Sequence, residues 1–143
     1  MWERRENRQN VFRIVVAEED SVFVDLLNEI IDSIHSLFPS LVFAIQKISS
    51  INEIDVTEKK ELVFLEDRFL LNKKDILKRQ DAEQREMILL LNNDFFSENS
   101  REIKQAINEN SLNLTGHISL TNYPFSLIKL LVVDFIKAKL NVQ

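Results

Sequence analysis

The chain has 143 residues, 45% hydrophobic and 29% charged, which suits one globular domain able to bury roughly two-thirds of its unfolded surface. A formal charge of −5 argues against a nucleic-acid binder, and zero cysteines exclude disulfides, thiolate metal sites and cysteine nucleophiles together. One glycine, Gly116, excludes the phosphate-cradling loops of nucleotide enzymes, which need several glycines to bring backbone amides to a ligand.

Residues 1–10 are polar, carry Trp2, Arg4, Arg5 and Arg8, and lack the apolar core of a signal peptide, so they are expected to be a tail. No stretch reaches the roughly 18 apolar residues of a membrane span. Without cysteines, signal peptide or span, a cytoplasmic protein with no membrane partner is expected. Residues 11–143 form one domain, undivided by a repeat or linker.

Phe12-Arg13-Ile14-Val15-Val16-Ala17 is a β-branched run closed by Glu18-Glu19-Asp20. Phe23, Leu26, Leu27, Ile30, Ile31, Ile34 and Leu37 recur at helical spacing, with Asp20 or Ser21 as cap and Phe38-Pro39 as stop. Leu41 to Ile45 predicts a second strand, and Ser50-Ile51-Asn52-Glu53 has the pattern of a capping box. Leu62 to Leu65 is a continuous apolar strand, as expected when both faces are covered. A short helix over Asn72–Gln80, a buried strand over Ile88–Leu91 and a polar helix over Asn99–Asn108 follow. Ile118–Asn122 is the fifth strand and Phe125–Leu140 the final helix.

Five short strands alternating with helices predict an α/β fold: a three-layer, doubly wound parallel sheet in the flavodoxin-like order 2-1-3-4-5. Function in such sheets sits at the carboxyl ends of the strands. Those ends are Glu18–Asp20, Glu66–Asp67, Asn92–Asp94 and Asn122–Tyr123.

The order and spacing of these ends, with Thr121-Asn122-Tyr123-Pro124-Phe125, resemble the CheY-like receiver domain of response regulators over residues 11–140. The resemblance puts Glu18 and Glu19 on the acidic pair that holds Mg²⁺ in that family. It puts Glu66 on the phosphoacceptor aspartate, Asn92 on the Thr or Ser ending the fourth strand, and Tyr123 on the lysine before proline. The switch aromatic falls on Leu120. Sliding the third strand by one residue puts Asp67 on the acceptor position instead, which would make the chain a phosphorylatable receiver working with Mg²⁺.

The departures have physical consequences. Glu66 is one methylene longer than aspartate, and misplacement on the order of 1 Å can cost ~100-fold in rate. Tyr123 brings no positive charge to a phosphoryl group, and Leu120 cannot report one. The resemblance so modified implies a pseudo-receiver in two-component signalling, with no phosphorylation cycle, no enzymatic activity and no required cofactor. Glu18, Glu19 and Glu66 either form a hard-cation pocket, which would suit Mg²⁺, or stand as solvated loop residues. If they converge without a lysine, repulsion should raise at least one pKa. Tyr123 either hydrogen-bonds Glu66 and plugs the pocket or projects as an exposed ring. His35 and His117 have no ligand spacing.

The last helix is more apolar than one sheet-covering stripe requires, with Leu127, Leu130, Leu131 and Val133 among its residues. Surplus apolar surface marks an interaction face. A protein partner or a second copy of the chain is expected there, with cover by the N-terminal tail as the alternative.

Overall fold

The computed structural model describes residues 11–48, 61–72, 86–109 and 113–141. The strands are β1 (Val11–Ala17), β2 (Val42–Ile48), β3 (Glu61–Glu66), β4 (Glu86–Leu91) and β5 (Asn113–Ser119). The helices are α1 (Val22–Ile34), continued by a 3₁₀ turn over His35–Leu37, α2 (Asp67–Asn72), α3 (Asn93–Glu109) and α4 (Phe125–Asn141). All strand pairs are parallel, in the order β2-β1-β3-β4-β5 expected from the alternation of apolar runs.

The strand pleat divides the core in two. Phe12, Ile14 and Val16 of β1, with Leu62, Phe64, Ile88, Leu90 and Ile118, face α1 and α4. Val15 and Ala17, with Val63, Leu65, Met87 and Leu89, face α2 and α3. Alternate residues of a strand point to opposite faces, so a strand covered on both sides reads as continuously apolar. On α1, Phe23, Leu27, Ile30 and Ile34 are wholly buried at helical spacing, each contributing about 1.5–3 kcal/mol. Phe64 links the two helices of its face, with ring centroids 4.7 Å from Phe23 and 6.5 Å from Phe135.

Several element boundaries differ from the sequence expectation, among them the start of β4 at Glu86 and a helix opening directly at Asp67. β2 runs on to Ile48. β5 occupies Asn113–Ser119 rather than Ile118–Asn122, because an edge strand alternates, here with Leu114, Gly116 and Ile118, instead of forming an apolar run. Leu120 to Asn122 form a turn, so Tyr123 follows a turn and not a strand. α3 begins at Asn93 and crosses a kink at Asn99 (φ −124°, ψ 19°), whose side-chain amide donates to the Phe95 carbonyl at 2.9 Å. The expected helix over Asn72–Gln80 and the box at Ser50–Glu53 lie outside the described residues, apart from Asn72, which ends α2.

The β4–β5 register shifts between Met87 and Ile88, which pair with Leu114 and Gly116 and leave Thr115 as the extra residue of a bulge. A Cβ on Gly116 would lie 2.9 Å from two ring carbons of Phe135, so a side chain here would have to displace that ring.

Candidate functional site

Ala17 pairs with Leu65, so the residues that follow them, Glu18 and Glu66, leave neighbouring strands side by side. Both are nearly inaccessible, and together with Asp20 they bring one oxygen each within 4.8 Å of one another. Their hydrogen-bond partners determine what the carboxylates do.

Glu18 caps α1. Its Oε1 accepts from the Phe23 amide at 3.1 Å and its Oε2 from the Val24 amide at 2.8 Å. These are orphan donors of a helix N-terminus, where a negative charge also meets the helix dipole. Asp20 Oδ1 takes the preceding amide, of Val22, at 3.4 Å, while Ser21, at the N-cap position, makes no side-chain cap bond. The cap therefore comes mainly from Glu18 and not from the Asp20 or Ser21 expected from sequence. Burial pushes the Glu18 pKa up, against the pull of the two amides.

Glu66 closes β3 with both oxygens engaged. Oε1 accepts from the Glu19 amide at 2.8 Å and Oε2 from the Arg68 guanidinium at 3.0 Å. The same Arg68 Nη2 donates to Asp20 Oδ2 at 2.9 Å. This bond holds the Asp20 carboxyl below the usual carboxylate range, and the bonds to Glu66 and Asp20 push the Arg68 pKa further up. Arg68 Nε is buried without a hydrogen-bond partner among the described residues.

Asp67, the other candidate acceptor, opens α2 and is 0% exposed. Its Oδ1 accepts from the Arg68 amide at 2.8 Å and its Oδ2 from the Asn92 amide at 3.0 Å. Burial is the main cause of its raised pKa, with the Asn92 and Arg68 amides opposing. Asn92 meets Asp67 through its backbone; its side-chain Oδ1 accepts from Phe95 at 3.4 Å and caps α3.

Two of the residues placed at this pocket by sequence are not in it. The Glu19 side chain is exposed, and it is the Glu19 amide that reaches Glu66. The Tyr123 hydroxyl pairs with His117 Nε2 at 3.3 Å, on the β5 side, rather than with Glu66. The reason is the turn after Ser119, where the Tyr123 amide donates to the Ser119 carbonyl at 3.1 Å. Leu120 packs against the core of the α1–α4 face.

Arg68 was missed by sequence reasoning. It lies two residues beyond Glu66, a spacing that matches neither strand nor helix neighbours, and only the strand-to-helix turn brings its side chain back across Glu66. Its one signal in the sequence is that it is the basic residue adjacent to the Glu66-Asp67 pair.

Chemically, the rim is acidic and its charge is partly balanced from within. Glu18 spends its oxygens on a helix N-terminus, and Arg68 stands between Asp20 and Glu66. As arranged, this donor set does not fit a divalent cation, because the bridging position between two of the three carboxylates holds a guanidinium nitrogen.

On the last helix, Leu130 is 62% exposed and Leu127 37%, with Phe125 also exposed beside them. Leu131 is half-buried, and Val133 is 8% exposed and packs in the core with Ile128, Val132 and Ile136. The exposed apolar face is therefore narrower than the sequence suggests, because Val133 lies one residue beyond Val132 on the sheet-facing side. No helix among the described residues is long and apolar enough to cross a membrane.

No protein-family model matches the chain, and no curated protein matches it in sequence. Among solved structures it is similar to a response regulator from Colwellia psychrerythraea at 12% identity and TM-score 0.51, covering 89% of this chain and 98% of that one. It is equally similar to a short-chain flavodoxin associated with a bacterial microcompartment, at 13% identity and TM-score 0.50, covering 90% and 98%. These likenesses agree with the strand order: the chain has the flavodoxin/CheY-like fold.

Proposed function

We propose that this chain is a receiver-like signalling domain that has lost phosphotransfer and acts by contact with a protein partner. The observation that carries this reading is the tethering of Glu66, at the end of the central strand, to Arg68 and to the Glu19 amide. A carboxylate that must attack phosphorus needs a free oxygen and an approach path. In this arrangement both Glu66 oxygens already accept a hydrogen bond and the side chain is nearly inaccessible, and Asp67 is deeper still, with both oxygens held by backbone amides. Among the described residues the β5 end brings no lysine or arginine to balance a phosphoryl group, and Tyr123 is turned to His117.

The flavodoxin likeness invites a phosphate-bearing ligand at the same rim. A helix N-terminus is a natural anion site, but at α1 the Glu18 carboxylate already occupies it, with Asp20 and Glu66 adding negative charge nearby. The receiver-like reading is therefore preferred.

The contact face in this reading is the exposed edge of α4, Phe125, Leu127 and Leu130, with Leu131 at its margin; the partner is another protein or a second copy of the chain, in the cytoplasm. Phosphorylation is tested by incubation with acetyl phosphate and Mg²⁺ followed by intact mass, on wild type and Asp67→Ala. An unmodified wild-type mass is expected. An adduct on wild type that disappears in Asp67→Ala would make the chain a working switch.

A further inference from the structure

Carboxylates gathered at the ends of adjacent strands need a counter-charge, because like charges in a partly dry pocket repel strongly. Hard divalent cations are one solution, and a guanidinium is another, since its planar fork bonds several carboxylate oxygens and never loses its proton. Glu18, Asp20 and Glu66 have oxygens within 4.8 Å of one another, and a single nitrogen of Arg68 touches two of the three, at 2.9 Å and 3.0 Å. The third, Glu18, is balanced by the amides of α1. Asp20 and the Arg68 side chain are partly exposed, so the bridge stands at the mouth of the pocket with Glu18 and Glu66 beneath it.

We propose that Arg68 is the resident counter-cation of this pocket: it holds the place of a divalent ion, keeps Mg²⁺ and Mn²⁺ out of the native chain, and its removal turns Glu18, Asp20 and Glu66 into a cation site. The claim concerns charge balance alone, and it holds or fails independently of whether any carboxylate accepts a phosphoryl group. It also gives the fold a rim whose charge does not depend on metal supply.

The test is Mn²⁺ titration of the full chain by isothermal calorimetry, with amide spectra recorded alongside, for wild type, Arg68→Gln and the double variant Arg68→Gln/Asp20→Asn. Wild type should show no saturable binding. Arg68→Gln should bind one Mn²⁺ at least about tenfold more tightly, with broadening of the Glu19, Phe23 and Val24 amides, and the double variant should lose most of that gain. If Arg68→Gln is unfolded without metal, Mn²⁺ should restore its melting transition. Saturable binding by wild type as tight as by the variant overturns the proposal. So does a folded Arg68→Gln with no gain, or an unfolded one that Mn²⁺ does not rescue.

Discussion

The two halves of the sheet's carboxyl rim are built on different principles. At β1 and β3 the chain gathers Glu18, Asp20, Glu66 and Asp67 and holds each with donors of its own: the amides of α1 for Glu18, Arg68 for Asp20 and Glu66, and the Arg68 and Asn92 amides for Asp67. At β4 and β5 uncharged groups make the bonds, with Asp94 exposed beside them: the Asn93 amide donates to Thr121 Oγ1, Ser119 Oγ donates to Asn93 Oδ1, and the Asn122 amide donates back to Ser119 Oγ. The halves meet at Asp67, whose Oδ2 accepts the Asn92 amide. Where the receiver resemblance would bring a cation across from the fifth strand, this chain takes it from the first turn of α2. The acidic half can therefore keep its charges without a cation from the described residues at the β4 and β5 ends.

Breaking the junction should have the largest effect. Asp67→Ala leaves two amides without acceptors in a dry site, and a loss of about 3 kcal/mol is expected in urea denaturation. Asp67→Asn, which keeps one carbonyl acceptor, should lose less. On the β4–β5 half, Gly116→Val drives a side chain into Phe135 and should cost about 2 kcal/mol by the same assay, with part recovered by adding Phe135→Leu. On the acidic half, Glu18→Ala uncaps α1 and should cost about 1–2 kcal/mol.

Acidity offers a finer probe of the same contrast. Burial raises Glu18 and Asp67 above their ordinary values of 4.5 and 3.8, so the folded chain holds protons there that the unfolded chain releases. Their contribution to stability is full below the ordinary values and is lost as pH rises through the raised ones. Asp20 has the opposite sign: its lowered pKa contributes stability above 3.8 that disappears in stronger acid. The melting temperature at low salt should therefore rise modestly on acidification from neutrality toward the upper edge of the Glu18 window, and Glu18→Gln should reduce that rise. The smallest effect belongs to the exposed edge of α4. Leu130→Glu should change stability by no more than about 0.5 kcal/mol, while weakening self-association or partner binding in sedimentation velocity.

The fold was legible in the sequence because its signal is carried by strong patterns: continuous runs in β1, β3 and β4, and the Phe23-Leu27-Ile30-Ile34 stripe of α1. β5 was misplaced because its inward positions are only half-buried until Ile118, alternate with exposed Asn113, Thr115 and His117, and include a glycine. At the site, Glu18 and Glu66 could be found from strand ends, since two parallel strands in register bring those ends together. Arg68 could not, because its partners lie 2 and 48 residues away and meet only through a turn whose course no periodicity encodes. The pairing of Tyr123 with His117 was likewise invisible, depending on where β5 ends. Val133 was read as surface because an almost wholly apolar helix does not announce which of its faces is covered.

The central claim is that the carboxyl rim is closed to phosphoryl chemistry by its own hydrogen bonds. The most direct measurement is a pair of ¹H–¹⁵N spectra of the wild-type chain, with and without Mg²⁺ and beryllofluoride, an analogue of a carboxyl-bound phosphoryl group. The amides to follow are those that hold the carboxylates: Glu19, Phe23, Val24, Arg68 and Asn92. The account predicts that none of the five moves. Saturable shifts at Arg68 and Asn92 would show that Asp67 gives up its amides to an incoming group, and would contradict it.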